Sequence, residues 1–389
     1  MDHDRIPMTV GMAKDDLFAG GQEMTEALRA FDWTSTPLGD PSTWPTSLRT
    51  TVGVVMGNRF PMLVWWGKDL LHIYNDGYRP MLGDKHPRSI AAPGREVWAE
   101  IWHICGPMAE SILAGGPSTW SEHLLLPMNR KGFIEETFFT FSYGPVPADD
   151  GSVGGVLVTV QETTEQVQNE RQLRTLRDLG ASAASVATAI EACQRAAGVL
   201  SSNPSDVPFA AIYLADPKAE FAVRACVAGP LDDAAAPVRL SLTRDEGSWP
   251  LHESASCRAA VEVHDVKARF GPLSGTQWPE AVDHAEVIPL SRGLDLQPYG
   301  FIVCGTSPRR LFDHRYSNFL HVVADQTANA IANARARRRQ GPRRSPGSAR
   351  SREDDVLLEY QPRISHAVDA DAGPHRGSAD IGARHTRPG

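Results

Sequence analysis

The residue types able to do chemistry are sparse in this chain and stand at uninformative intervals. Five cysteines, Cys105, Cys193, Cys226, Cys257 and Cys304, form neither a C-x-x-C pair nor a regular spacing. Nothing therefore marks a redox couple or a thiolate metal site. With no secretory leader ahead of them, they are expected to be reduced and mostly buried, in a cytoplasmic protein. His72 falls inside an apolar run and His103 between Trp102 and Ile104. Either could ligate haem, but no second ligand stands at a telling spacing, which favours packed histidines. Trp98 and Trp102 are four residues apart and would share a helix face. Together with His103 they are the candidates for lining a cofactor pocket, against the plainer alternative of a core stripe. The sequence contains no glycine-rich phosphate loop, G-x-S-x-G elbow or zinc spacing. No catalytic or metal-binding residue is expected before residue 340.

The elements that would position these residues can be read from the apolar pattern. Phe60–Trp66 and Leu70–Tyr74, separated by Gly67-Lys68-Asp69, predict a hairpin. Asn75-Asp76-Gly77-Tyr78 predicts a turn into a short helix that ends at Gly83. Arg95–Leu113 carries Val97, Ile101, Ile104 and Met108 on one stripe and predicts a single amphipathic helix. Strands are predicted over Ser118–Pro127, Phe133–Tyr143 and Val153–Glu162, with turns at Asn129–Gly132 and Asp149–Gly151. Residues 1–30 read as a loose lead-in with one short helix, Met24–Ala30. Trp33 and Trp44 serve as anchors before a helix at Ser47–Met56.

A second set of elements follows a glycine-free, proline-free stretch, Gln161–Leu179. Thr163 and Thr164 offer helix-start oxygens, with Gln168 placed for a capping box. The first half of this helix is polar all round, so burial in one core is not expected. Leu173 and Leu176 open a seam that continues through Leu179, Ala183, Val186 and Ile190. Strands are predicted at Phe209–Leu214, Phe221–Val227, Glu286–Leu290 and Gly300–Gly305, and a long helix at Tyr316–Arg339. That helix carries a seam of Leu320, Val323, Thr327, Ala330 and Ala334, spaced for helix pairing. The two seams call for partners, so a homodimer is expected. The 389 residues suffice for two or three cores. A net charge of −8 gives no electrostatic case for nucleic acid, and no apolar run approaches a membrane span.

Four motifs in the first half, Trp33–Gly39 (W-T-S-T-P-L-G), Trp44–Arg49 (W-P-T-S-L-R), Tyr74–Tyr78 (Y-N-D-G-Y) and Leu82–Pro87 (L-G-D-K-H-P), stand with Glu135–Tyr143 (E-E-T-F-F-T-F-S-Y). This set resembles the PAS sensor domain that opens bacterial multi-domain histidine kinases, over residues 31–165. The V-I-P-L strand, the G-x-x-x-x-G strand and the R-x-F-D-x-x-Y-x-x-F-L helix entry resemble a GAF domain over residues 175–336. The resemblances imply an α+β chain of two antiparallel-sheet sensor domains joined by a signalling helix at 166–180. They also imply ligand or cofactor pockets rather than catalysis. Covalent flavin is disfavoured because Cys105 lies in W-H-I-C-G-P, not N-C-R-F-L-Q. Cys226 and Cys257 lack the surroundings of a bilin attachment site, and the cyclic-nucleotide pattern is absent. The cofactor is left unknown.

From Arg335 the composition turns to Arg, Gly, Pro and Asp, and residues 337–389 are expected to be a disordered tail. Its basic run is expected to be solvated. A choice of synonymous codons for Glu353–Asp369, read one base later, spells K-T-T-F-F-S-S-I-S-H-E-F-R-T-P-L-T. That string resembles the phosphoacceptor box of histidine kinases. The expectation is an out-of-frame tail that lacks the kinase core, in which His366 is not the phosphoacceptor. The chain as written would then be inactive alone, and a response regulator would be the partner of the intact kinase. The alternative is a stand-alone, non-enzymatic PAS–GAF regulator that acts by binding a partner protein.

Overall fold

The computed structural model describes residues 17–18, 23–183, 186–273, 277–293 and 297–340. The expected tail from residue 341, with His366 and most of the basic run, lies outside the described residues. The architecture is α+β, with two large antiparallel sheets and one small two-stranded ladder among the described residues.

The first set of elements runs α1 (Glu23–Ala30), α2 (Thr46–Met56), β1 (Met62–Trp66), β2 (Leu71–Tyr74), α3 (Arg79–Leu82), α4 (Gly94–Val97), α5 (Trp102–Leu113), β3 (Thr119–Leu125), β4 (Met128–Asn129), β5 (Ile134–Glu135), β6 (Phe138–Pro147) and β7 (Val153–Glu162). Five strands form one sheet in the order β2-β1-β7-β6-β3, while β4 and β5 make a small separate ladder. The linking helix α6 (Thr164–Ser182) follows. The second set is α7 (Ala189–Ser201), β8 (Ala210–Ala215), β9 (Phe221–Ala228), β10 (Arg239–Ser241), α8 (Leu251–Cys257), β11 (Val261–Val263), α9 (Val266–Phe270), β12 (Ala285–Leu290), β13 (Gly300–Gly305) and α10 (His314–Gln340). Its six strands are ordered β10-β9-β8-β13-β12-β11. One face carries a core shared with α7 and α10, and the other a core around Phe209, Tyr213 and Trp249.

Several expectations change in the folded chain. The short helix expected at Met24–Ala30 is present as α1, and it is packed rather than loose, since Met24 and Leu28 are fully buried in the first core. The predicted helix at Arg95–Leu113 is two helices. In a continuous helix the Val97 carbonyl would accept from the amide of Ile101, but here it accepts from the Lys85 ammonium at 2.7 Å. The Ile101 amide bonds instead to the Trp98 carbonyl in a tight turn. The seam through Leu179 and Ile190 is likewise interrupted, because Thr188 caps a new helix by accepting from the Glu191 amide at 3.1 Å. Thr163 and Thr164 do not cap α6. Thr164 Oγ1 accepts instead from the Phe138 amide at 2.9 Å, tying the helix to β6. Residues 337–340, assigned to the tail, complete the last turn of α10.

The Tyr74–Tyr78 motif has a direct physical reason. Asn75 is 1% exposed. Its Oδ1 accepts from the amides of Met62 and Tyr78, each at 3.1 Å. Its Nδ2 donates to the carbonyls of Val55, Asn58 and Phe60 at 2.8–3.1 Å. One side chain thus closes α2, the entry to β1 and the turn before α3. Gly77 lets that turn come close, because a Cβ there would stand 2.6 Å from the Arg59 carbonyl oxygen. The Asn75→Ala substitution would strip this partner from the Met62 amide and the Asn58 and Phe60 carbonyls at the entry to β1, whereas the Tyr78 amide keeps the Asn75 carbonyl and the Val55 carbonyl keeps the Asn58 amide. It is expected to cost about 2–4 kcal/mol, measured as a fall in urea-unfolding free energy.

Candidate functional site

The first sheet, α3, α4 and α5 enclose a cavity of about 40 Å³, lined by Trp65, Tyr78, Trp98, Cys105, Phe141 and Tyr143 among others. A space of that size admits a few water-sized groups, so any larger occupant must displace a ring. The only polar groups on these six residues are the two indole N–H groups, two phenols and a thiol, and the phenols and the thiol are kept neutral. Burial raises the tyrosine hydroxyls above their ordinary pKa. It also pushes the Cys105 thiol up to about 11, with a hydrogen bond to Tyr143 acting the other way. This is an environment for a small, uncharged, largely apolar ligand.

Of the three residues proposed from the sequence to line a pocket, only Trp98 does so. Trp102 turns the other way and packs over Gly94 and Gly106, with its ring centroid 5.9 Å from that of Trp65. His103 is exposed. The break between α4 and α5 separates the two tryptophans that one helix would have aligned. The histidine that matters here is His72. It is fully buried, with Nε2 accepting from Trp65 Nε1 at 3.0 Å and Nδ1 lying 2.9 Å from the Ala92 carbonyl oxygen. Since indole can only donate, His72 is the neutral tautomer protonated at Nδ1. It fixes the edge of the Trp65 ring that walls the cavity. Burial depresses its pKa to about 3.

The second feature is the polar junction around α6. Arg171 donates to Glu136 from Nη1 at 2.7 Å and from Nη2 at 2.8 Å. It also donates to Asp206 from Nε and Nη2, each at 2.8 Å. Glu136 and Asp206 are 3% and 0% exposed. Burial alone would lower the guanidinium's pKa, but the two carboxylates outweigh it and hold the group above its ordinary value. Gln168 reaches Glu136, while Asn203 and Arg310 reach Asp206. The Glu136 amide donates to the Arg309 carbonyl at 2.8 Å. A polar cavity of about 180 Å³ lies beside this network, bordered by Glu135, Gln168 and Arg309. One stripe of the polar half of α6 is therefore buried, at Gln168, Gln172 and Thr175, while Glu165, Gln166, Asn169 and Glu170 stay exposed. Apolar periodicity is blind to that kind of burial.

The seam residues divide sharply. Leu320, Val323, Thr327 and Ala330 are at most 5% exposed, and the apolar three sit in the core shared with α7 and the second sheet. The partners that their spacing called for lie within the chain. Leu176 packs against the same core, whereas Leu173 is 65% exposed. All five cysteines are free, and only Cys257 is exposed. Among the described residues no helix is long and apolar enough to cross a membrane.

No protein-family model and no curated protein matches the chain. Less than half of the chain is similar to nearly the whole of several solved structures. The GAF domain of an Acinetobacter phosphoenolpyruvate-protein phosphotransferase is 18% identical over 42% of this chain and 95% of that one, with a TM-score of 0.33. The GAF domain of a Coxiella burnetii phosphoenolpyruvate-protein phosphotransferase is 16% identical over 44% and 98%, also at 0.33. Free methionine-R-sulfoxide reductase from Neisseria meningitidis is 18% identical over 43% and 91%, again at 0.33. Likenesses of this size decide nothing about this chain's function.

Two measurements test the site. Below pH 6.5 the unfolded chain protonates at residue 72 and the native chain does not, so stability falls with pH until about pH 3. At pH 5 this amounts to about 2 kcal/mol. The loss of unfolding free energy between pH 7 and pH 5 is expected to be smaller by that amount in His72→Gln. Alkylation of the native protein followed by peptide mapping is expected to label Cys257 first. Cys105 and Cys226, with thiols pushed up to about 11 and about 12, should lag by about 10-fold or more.

Proposed function

We propose that the chain is the sensory input region of a cytoplasmic two-component histidine kinase. Residues 31–165 act as a PAS-like domain, 166–180 as the signalling linker and 175–336 as a GAF-like domain. Ligand occupancy or redox state at the first cavity moves the Trp98 and Phe141 walls. Strands β6 and β7 carry the movement to α6, which starts two residues after β7 and is tied to β6 by Thr164. Helices α6 and α10 then relay it towards a kinase core. A homodimer forms with the exposed Leu173 in its contact, and the intact kinase addresses a response regulator.

The observation that carries this reading is Arg171, one side chain of α6 bonded at once to Glu136 beside the first sheet and Asp206 before the second. A shift of α6 cannot leave either side untouched. The kinase assignment is supported by the compatibility of Glu353–Asp369, under one choice of synonymous codons, with a phosphoacceptor-like string one base out of frame.

Sequencing the gene from the codon of Ala330 to several hundred bases past that of Gly389 tests the kinase assignment. A frame encoding S-H-E-F-R-T-P-L followed by an ATP-binding domain is the expected result. Absence of any such frame would sink it and leave a regulator that acts by binding.

The relay has its own test. Arg171→Met removes the shared partner of two buried carboxylates and is expected to cost about 3–5 kcal/mol. Thermal unfolding, followed by calorimetry, should then resolve into two transitions where the parent protein shows one. A single, merely lowered transition would argue against coupling through this residue.

A further inference from the structure

Strand β11 is the edge of the second sheet and pairs with β12 in the register Glu262↔Glu286 and Val263↔Ala285. One step further along the ladder, His264 meets His284. Since side chains alternate across a sheet, Glu262, His264 and His284 share one face. Val263, Ala285 and Val287 enter the core on the opposite face, while Ile288 and Leu290 enter the core shared with α10. The three polar residues therefore stand on the α10 side.

Their atoms converge. His284 Nε2 lies 3.3 Å and His264 Nε2 3.4 Å from the same oxygen, Glu262 Oε2. The imidazole and carboxylate donor atoms of the three residues all lie within 4.8 Å of one another. The tautomer of His284 is set from behind. Thr306 Oγ1 donates to the His284 carbonyl, which leaves its oxygen to accept from His284 Nδ1 at 3.1 Å. In neutral His284, Nε2 then carries a lone pair and faces a carboxylate oxygen that also has only lone pairs. Two acceptors at that distance repel unless a cation sits between them. Nearby negative charge adds to the demand. Glu286, directly across from Glu262, is 3% exposed, and its Oε2 has no hydrogen-bond partner among the described residues.

We propose that Glu262, His264 and His284 bind one divalent transition-metal ion of the zinc class. Ligands about 2.0–2.1 Å from a tetrahedral ion stand roughly 3.3–3.4 Å from one another, which is the spacing of both histidine nitrogens from Glu262 Oε2. Two imidazoles with one carboxylate suit zinc, iron(II), cobalt or nickel rather than calcium or magnesium. Thr306 holds the His284 ring with Nε2 outward, the role an outer hydrogen bond plays at a metal-bound histidine. Water would complete the coordination, since Glu262 and His264 are exposed at the sheet edge.

The test is titration of the untagged, chelator-treated full chain with Zn2+ by calorimetry and with Co2+ by absorption. One ion per chain is expected, with a cobalt spectrum free of thiolate charge-transfer bands. His264→Ala is safe for folding because its side chain is 72% exposed. It should weaken binding by about 10-fold or more, as should His284→Ala, while Thr306→Val weakens it less. Cys257→Ser, which removes the exposed thiol, should leave binding unchanged. Absence of stoichiometric binding would mean that a proton bridges the cluster, and the proposal would be wrong. It would be equally overturned if the affinity survived His264→Ala or depended on Cys257.

Discussion

The structure depends most on a partly buried cation held between two buried anions. Arg171 cannot be neutralised at any ordinary pH, so the chain must supply it with partners or expose it. It supplies Glu136 and Asp206, which come from the segments before and after α6 in the chain. Among the described residues neither carboxylate has another cation of comparable geometry, since Arg310 approaches Asp206 only at 3.4 Å. Taking three charges out of water is expensive, and hydrophobic side chains of the same volume could fill the space at lower cost. What the ionic solution gives is direction. Four hydrogen bonds of 2.7–2.8 Å fix the rotation and height of α6 against both neighbours, which apolar contacts alone would leave freer to slide.

Other features follow from where that helix is held. Thr164 joins the start of α6 to β6, and the Glu136 amide bonds to the Arg309 carbonyl just before α10. The cavity walls on β6 and β7 are thus a few residues from a junction that touches the beginning of the last helix. The proposed metal cluster lies on the α10 face of the second sheet, where Glu286 meets His321 and Ser317 of α10. Both ends of the molecule therefore place polar, charge-sensitive contacts beside helices and reserve apolar packing for the sheet interiors.

The strands were legible because their burial alternates or runs continuously over lengths that suit a strand. Val153–Glu162 and Gly300–Gly305 appear with the bounds expected. The edge elements β10 and β11 were missed because three residues carry too little pattern to stand out. The site was less legible than the fold. Trp98 was found, but Trp102 and His103 were placed with it by an unbroken helix that does not exist. His72 was set aside as a packed histidine, which it is. Its role in orienting Trp65 depends on a cross-strand pair between β1 and β2 that spacing cannot reveal. The proposed metal cluster was invisible, because His264 and Glu262 are twenty and twenty-two residues from His284 and only strand register brings them together.

By itself the sequence determined the α+β class, the order of the longer strands and the motif around Asn75. These rest on local propensity and on apolar periods that act over a few residues. Tertiary structure alone decided that the α10 seam is filled by its own chain, and that one polar stripe of α6 is buried. It also decided that a lysine carbonyl contact splits one helix into two. Each of these turns on partners far away in sequence. A buried charge or a captured carbonyl is stable or ruinous according to what stands opposite, and only the folded chain sets that.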